Sequence, residues 1–242
     1  CATRLPAIGA LPAPDALGLP AAVLGHLRRV VAQPDGMCFI TGPTGSGKTT
    51  TIHSLLGELA EHRPDRQILS IEDPVERRLP GIAQVEVRPA GRFDFVGALR
   101  SALRQDVDIL VVGEIRDRDT AIAAVQAALS GHLVIATLHA VRAREVLPRL
   151  CDLGVDRRHL LALTRLILAQ RLVRRRGRQL VCDLLLADAE HRRDWHDPDD
   201  PPLHSDMDEQ ALRLIEAGVT DPDEVARVLG PPKPNGADPD LA

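Results

Sequence analysis

The sequence predicts an α/β fold: a mainly parallel, twisted sheet covered by helices, followed by a smaller helical subdomain. One observation predicts the sheet. Short apolar runs alternate with helix-like segments from Gly36 onward, and such alternation is typical of parallel strands joined by crossover helices. A second observation predicts the subdomain. After His139 the strand-like runs largely stop and helix-like patterns follow.

The chain divides into four predicted regions. Four prolines among small residues occupy positions 1–20, which favours a linker or lead-in over regular structure. We place the core of the fold at 21–140 and a mainly helical C-terminal subdomain at 141–230. A flexible tail is expected at 231–242.

The core elements follow from their hydrophobic patterns. Strands are predicted at MCFIT, RQILSIE, DILVVGE and HLVIATLH, and helices at TTTIHSLLGELAEH, VGALRSALRQ and RDTAIAAVQAALS. The segment IAQVEV alternates with period two, which is typical of an edge hairpin. Gly131 is expected to end the third of these helices.

The C-terminal subdomain is predicted from four helix-like segments: VRAREVLPRLCDLG, RRHLLALTRLILAQRLVRR, ALRLIEAG and TDPDEVARVL. Pro148 is expected to start or kink the first. Thr220 is expected to cap the last, whose first turn is acidic. The stretch DWHDPDDPP between them is expected to be a solvated loop.

Composition narrows the function classes. No apolar run approaches the eighteen or so residues of a membrane span. The formal net charge is -4, and the chain has three Phe, one Trp and no Tyr. A broad nucleic-acid surface is therefore disfavoured, although a local basic patch such as RLVRRRGR remains open. The four cysteines lack any C-x-x-C pair, so we expect neither a disulfide scaffold nor a zinc site. This cysteine usage is typical of a protein in the reducing cytoplasm.

A phosphate-binding loop is predicted at residues 42–49, which read GPTGSGKT between a strand and a helix. Its glycines let backbone N–H groups turn toward phosphate oxygens, and the helix N-terminus adds positive potential. Lys48 is expected to reach the β- and γ-phosphates, and Thr49 to hold Mg²⁺. Only two of the 30 Lys and Arg residues are lysines, which supports a specific task for Lys48. The predicted nucleotide-binding residues are Pro43, Thr44, Gly45, Ser46, Gly47, Lys48, Thr49 and Thr50.

Three polar residues follow separate predicted strands. Glu72 and Glu114 each end a strand, and His139 ends another. Ligands of open α/β sheets bind beyond the carboxyl ends of the strands, so these side chains are expected to converge on the phosphates. We predict catalytic roles for all three, with His139 sensing the γ-phosphate.

Magnesium is expected to bind through Thr49, Glu72 and Glu114, partly through water. In our preferred assignment Glu114 activates the attacking water and Glu72 supports the metal shell. The sequence leaves these two roles interchangeable, because a general base and a water-mediated ligand need the same carboxylate.

Such a loop serves kinases, switches, DNA motors and protein motors alike. No long inserted lid separates the motifs, which disfavours a small-molecule kinase. The net charge disfavours a DNA motor.

The motifs resemble those of the secretion ATPases of type II secretion, type IV pilus assembly and related competence systems. GPTGSGKTTT is similar to the Walker A motif of that family and SIEDPVE to its aspartate box. ILVVGEIRD is similar to its Walker B motif and GHLVIATLHA to its histidine box. The joining segments LPGIAQVEVRP, LRSALRQDVD and AQRLVRR are similar too. The resemblance covers roughly residues 15–230.

The resemblance implies a RecA-like P-loop ATPase core that binds ATP and Mg²⁺ and works in a homo-oligomeric, hexameric ring. It also implies a cytoplasmic protein, peripheral at the inner face of the cytoplasmic membrane, that works with the cytoplasmic part of a secretion or pilus platform. Nucleic acid is an unlikely partner on this reading. Two alternatives stay open: a catalytically weak ATP-binding ring subunit, and a DNA-transfer motor.

Two departures from the family pattern qualify these expectations. The paired C-x-x-C motifs that commonly follow the QRLVR segment are absent, so a zinc site is not carried over. The chain also begins only about 40 residues before the P-loop, whereas the family usually supplies arginines from a preceding domain. We therefore expect slow hydrolysis by the isolated chain.

Overall fold

A seven-stranded sheet organises the protein in this computed structural model, which describes residues 11–87, 94–174, 177–187, 191 and 201–230. Three sequence predictions fall wholly or partly elsewhere. The tail at 231–242, the first half of the lead-in at 1–20 and most of the Asp- and Pro-rich loop at 194–202 lie outside the described residues.

The sheet is mainly parallel, as the sequence predicts. Its strands are β1 (Gly36–Thr41), β2 (Ile68–Glu72), β3 (Ala83–Glu86), β4 (Ile109–Val112), β5 (Leu133–Leu138), β6 (Thr164–Arg174) and β7 (Arg178–Leu186). Their order is β3-β2-β4-β5-β1-β6-β7. Every neighbouring pair is parallel except the last, in which β7 runs antiparallel to β6.

Helices cover both faces of the sheet. They are α1 (Ala21–Val31), α2 (Lys48–His62), α3 (Phe95–Ala102), α4 (Arg118–Leu129), α5 (Val146–Asp152), α6 (Arg157–Leu163), α7 (Met207–Glu216) and α8 (Pro222–Leu229). Apolar side chains of α1 and α2 form one hydrophobic core, and those of α3 to α7 contribute to a second core on the opposite face. Neighbouring strand residues therefore divide between the two cores: Phe39 belongs to the second and Ile40 to the first.

The C-terminal region differs from the prediction. The expected helix RRHLLALTRLILAQRLVRR is wrong beyond Leu163, where α6 ends and β6 begins. Residues 164–186 extend the core sheet as β6 and β7, so this part of the predicted 141–230 subdomain is not helical. The physical reason is burial on both sides: β6 contributes Leu166 and Ile167 to opposite cores. Apolar residues on both faces erase the period that separates a strand from a buried helix.

Two smaller predictions also need correction. The segment IAQVEV forms no hairpin; β3 is a single edge strand parallel to β2. The last helix is capped by Asp221 rather than Thr220, since the Asp221 side chain accepts a hydrogen bond from the Glu224 N–H. The Thr220 hydroxyl instead donates to the Arg174 carbonyl. None of the helices in the described residues has the length and apolar character that a membrane span requires.

Candidate functional site

A cavity of about 660 Å³ lies where β1, β2, β4 and β5 end. It is lined by Glu72, Glu114 and His139, the three residues that the sequence places at strand ends, together with Lys48 and other residues of the predicted phosphate-binding loop. The structure thus brings all three strand ends to one place. A cavity at the carboxyl edge of a parallel sheet is the usual ligand position in this class of fold.

The phosphate-binding loop connects β1 to α2 through glycines in special conformations. Gly42 has φ +141°, and a Cβ atom there would lie 2.4 Å from the Gln170 carbonyl oxygen. Gly47 has φ +93° and immediately precedes α2 as its N-cap. The loop is therefore packed closely against β6, and its conformation requires glycine at both positions.

Lys48 is the first residue of α2, and its ammonium group spans the loop. Nζ donates to the carbonyl oxygens of Gly42 at 2.8 Å and Pro43 at 3.1 Å. Burial lowers the pKa of the Lys48 ammonium below the ordinary lysine value; Glu114 and Glu76 oppose this effect and Arg171 reinforces it. Thr49 and Thr50 line the cavity from the same first turn, where unpaired helix N–H groups favour anions.

Six of the eight predicted nucleotide-binding residues line the cavity: Thr44, Gly45, Gly47, Lys48, Thr49 and Thr50. Pro43 and Ser46 are not among the lining residues. The Pro43 carbonyl accepts from Lys48, and Ser46 is buried behind the loop, where its carbonyl accepts from the Gln170 side chain. These two residues support the shape of the loop from outside the cavity.

Glu72 is a buried carboxylate held by polar groups from three elements. Oε1 accepts hydrogen bonds from Ser70 Oγ at 2.7 Å and Gln84 Nε2 at 2.9 Å, and Oε2 lies 3.5 Å from His53 Nε2. Burial alone would raise the pKa of Glu72, but the interactions with His53, Gln84 and Ser70 outweigh it and hold the pKa below the ordinary glutamate value. The site therefore keeps this carboxylate ionised.

Glu114 lies between two cationic or polar side chains. Its Oε1 is 2.7 Å from His139 Nε2, and its Oε2 accepts a hydrogen bond from Arg116 Nε at 2.7 Å. Arg116 Nη1 also lies 3.7 Å from Asp73 Oδ2. The Glu114 side chain is 16% exposed and the Arg116 side chain 57% exposed, so Arg116 covers Glu114 from the solvent side.

His139 links this carboxylate to the phosphate-binding loop. Its Nδ1 lies 3.2 Å from the Gly42 carbonyl oxygen, so both ring nitrogens face acceptor oxygens. The next residue, Ala140, donates its N–H to Thr41 Oγ1 at 2.7 Å. A movement of the Gly42 carbonyl would therefore change the contacts of His139.

Sequence reasoning missed several residues around the site. Gln170 donates from Nε2 to the Ser46 carbonyl at 2.8 Å and fixes the loop to β6; in the sequence it is a polar residue inside the apolar run LILAQRLV and part of the family-like segment AQRLVRR. Gln84 lies in the family-like segment LPGIAQVEVRP, but neither it nor His53 is predicted from the sequence to contact Glu72. At another part of the wall three leucines and an arginine line the cavity: Leu17, Leu172, Leu180 and Arg178. Leu17 belongs to the predicted lead-in.

The donor set fits magnesium. Thr49, Glu72 and Glu114 all line the cavity, and hydroxyl and carboxylate oxygens are the ligands that Mg²⁺ prefers. Within the described ranges, no group of three or more His, Cys, Asp or Glu side chains could hold a metal ion by itself. Mg²⁺ at a nucleotide needs few protein ligands, because substrate phosphates and water complete its shell.

Comparisons with known proteins place this site in context. The model of the family described as "Type II/IV secretion system protein" matches residues 10–214. The chain is 47% identical over 159 residues to the type II secretion system protein E of Xanthomonas campestris pv. campestris, covering 66% of this chain and 28% of the relative. It is 47% identical over 165 residues to the type IV pilus assembly ATPase PilB of Thermus thermophilus, covering 68% of this chain and 18% of the relative.

Solved structures agree in fold. The ATPase DotB of Legionella pneumophila superposes with a TM-score of 0.73 at 28% identity, covering 87% of this chain and 63% of that one. The pilus retraction motor PilT with bound ADP gives a TM-score of 0.74 at 27% identity, covering 93% and 68%. These similarities confirm the RecA-like ATPase fold. The chain spans from about a fifth to nearly half of the length of the curated relatives it matches.

Proposed function

The chain belongs to the type II/IV secretion system protein family, and from that premise we propose that it binds and hydrolyses ATP as the motor domain of a bacterial secretion or type IV pilus assembly ATPase. One observation carries the proposal: the loop lysine, both strand-end glutamates and the strand-end histidine line a single cavity at the carboxyl edge of the sheet.

The binding step uses the P-loop. Its N–H groups, the N-terminus of α2 and Lys48 would hold the triphosphate. Thr49 would hold Mg²⁺ directly, and Glu72 and Glu114 partly through water. The metal would neutralise charge that develops on the phosphate oxygens during transfer.

The chemical step needs a proton acceptor beside the attacking water. We assign this role to Glu114, because its side chain is 16% exposed and that of Glu72 only 7%, so water reaches Glu114 more readily. Glu72 would then support the shell of the magnesium ion. His139 contacts both Glu114 and the loop carbonyl of Gly42. A change at Glu114 on loss of the γ-phosphate would therefore reach the phosphate-binding loop through His139.

At the level of the assembly we propose a hexameric ring of copies, which is what the resemblance to the family implies. It would lie in the cytoplasm against the inner face of the cytoplasmic membrane and act on the cytoplasmic part of a secretion or pilus platform. The support is the family, together with relatives named type II secretion system protein E and PilB.

A catalytically weak ring subunit is the second candidate. The observation that favours it is Arg116, which is paired with the Glu114 carboxylate and would compete with the attacking water for it.

The test is nucleotide binding and turnover by the purified chain. A fluorescent MgATP analogue should bind to the chain, and phosphate should be released from MgATP. Lys48→Ala should lose both the binding and the phosphate release, because the loop would no longer have a cation to balance the charge of the triphosphate. Arg63→Ala, at the far end of α2, is the matched control, since Arg63 contacts exposed Asp65. Unchanged analogue affinity in folded Lys48→Ala would refute the proposal.

A further inference from the structure

A cluster of polar side chains surrounds Glu72 at the wall of the cavity. It consists of His53 on α2, Ser70 and Glu72 on β2, and Gln84 on β3. Residue exposure is 4% for His53, 1% for Ser70 and 6% for Glu72. All three of these residues also line the cavity. His53, Ser70 and Glu72 are therefore buried from bulk solvent but open to a ligand bound in the cavity, whereas Gln84 is half-buried behind them.

The cluster holds both oxygens of one carboxylate. Ser70 and Gln84 donate to Glu72 Oε1, and His53 Nε2 stands 3.5 Å from Oε2. Gln84 is itself fixed, because its Nε2 also donates to the Arg77 carbonyl and its Oε1 accepts from the Leu79 N–H. Glu72 Oε1 thus has a rigid partner in Gln84. The position of Glu72 Oε2 depends on His53.

His53 is an unusual residue for its place in α2. Its neighbours Ile52, Leu55 and Leu56 belong to the apolar core between α2 and the sheet. Burying an imidazole ring costs free energy unless the ring has a polar partner. In the described residues, His53 Nε2 faces Glu72 Oε2 at 3.5 Å. An apolar side chain would pack equally well at this position of α2. The contact with the Glu72 carboxylate therefore explains why a histidine is present there.

We propose that His53 is a positioning residue for hydrolysis: it orients the Glu72 carboxylate, and with it the metal-bound water, relative to the phosphates bound by the same helix. This inference rests on the proposed ATPase function and names a residue that the sequence motifs of the site do not include. His53 follows Lys48 by five residues on α2, so one rigid element carries both the phosphate ligand and the support for Glu72.

The experiment compares His53→Leu with His53→Gln, whose side-chain amide can donate from nearly the same place as Nε2. His62→Leu is the matched control, because His62 is an exposed residue at the end of α2. In His53→Leu the single-turnover rate should fall about tenfold while analogue affinity stays within about twofold, since orientation matters to the transition state more than to binding. His53→Gln should recover most of the rate.

A double-mutant cycle separates positioning from packing. If His53 acts through Glu72, then His53→Leu should lower the rate no further once Glu72→Gln is present. A packing defect would instead add to the loss and lower the melting temperature of both His53 variants alike. Additive effects, or an unchanged rate in His53→Leu, would overturn the inference.

A second readout does not need turnover. Long-range ¹H–¹⁵N NMR of the unliganded chain should show a proton on His53 Nε2, assigned by its absence in His53→Gln, and this signal should shift in Glu72→Gln. A ring without a proton on Nε2 would overturn the inference. If the wild-type chain neither binds nor hydrolyses MgATP, the proposed function fails; if it does both and His53→Leu matches it, only the inference fails.

Discussion

Glu114 shows at the level of single atoms how the site is both assembled and restrained. One oxygen faces His139 and the other accepts from Arg116. This carboxylate lines the cavity, but each of its oxygens already has a partner. Catalysis would need Arg116 to move away, which its 57% exposed side chain permits. The pairing would therefore have to open before Glu114 could accept a proton from water.

The two glutamates give the first prediction at this scale. Glu114→Gln should leave nucleotide affinity nearly unchanged and lower turnover by about 10²–10⁴-fold, because the amide keeps the shape and loses the proton acceptor. Glu72→Gln should lower turnover less, since its role is to hold a water in place. Single-turnover phosphate release and analogue titration measure both effects, with Asp65→Asn as a surface control. A larger loss in Glu72→Gln would exchange the two roles.

Residue types at strand ends were readable from the sequence, but their partners were not. Lys48, Glu72, Glu114 and His139 stand out because each follows or opens an element whose end is fixed by a strong pattern, and the structure places all four on one cavity. Glu72 is contacted by His53 from α2 and by Gln84 from the neighbouring strand β3. Such contacts depend on which elements pack against β2, and a single sequence does not specify this.

Among the elements, the hairpin of β6 and β7 has the largest consequence for the site. β1 pairs with β6 only as far as Ala169, and beyond it residues 170–174 pair with β7 alone. This projecting part carries Gln170, which fixes the phosphate-binding loop, and Leu172, which lines the cavity. The element that was predicted as a helix is thus the one that supports the back of the loop.

Loop glycines give the prediction at this scale. In Gly42→Ala the new Cβ would meet the Gln170 carbonyl at 2.4 Å, whereas in Gly45→Ala nothing lies within 4 Å. Both positions have positive φ, so both variants bear a backbone cost of about 1–2 kcal/mol. The clash should raise the cost at Gly42 to about 2–5 kcal/mol. Thermal melting of the unliganded variants should show a clearly larger loss for Gly42→Ala; equal losses would mean that β6 yields to the loop.

The outcome for whole elements has a physical explanation. Strands β1, β2, β4 and β5 were predictable because short, mainly apolar segments of four to six residues, buried at every position, are typical of parallel strands covered on both faces. β6 is eleven residues long and partly buried at its end, a length that favours a helix when only the pattern is considered. Its strand conformation comes from pairing with β1 and β7, which is tertiary information.

At the scale of the whole molecule the supply of positive charge around the cavity is limited. Among the described residues that line it, the fixed cations are Lys48, Arg116 and Arg178. Lys48 is bound to carbonyls of the loop and Arg116 to Glu114. Phosphoryl transfer gains most of its rate from charges around the γ-phosphate, and an arginine supplied from outside the P-loop core is worth roughly 10³–10⁵ in turnover.

The last prediction follows from that inventory. The 242-residue chain on its own should bind MgATP and hydrolyse it slowly. If a neighbouring copy in a ring adds an arginine to the cavity, as the preceding domain does in the family, turnover per molecule should rise with protein concentration. Phosphate release and mass in solution, measured on the same samples across a wide concentration range, should increase together. Mixing an excess of Lys48→Ala chains with wild-type chains is the sharper arm, since these partners keep their arginines but cannot hydrolyse. They should stimulate the wild-type chains, whereas brisk, concentration-independent turnover by a monomer would show that one chain completes its own site.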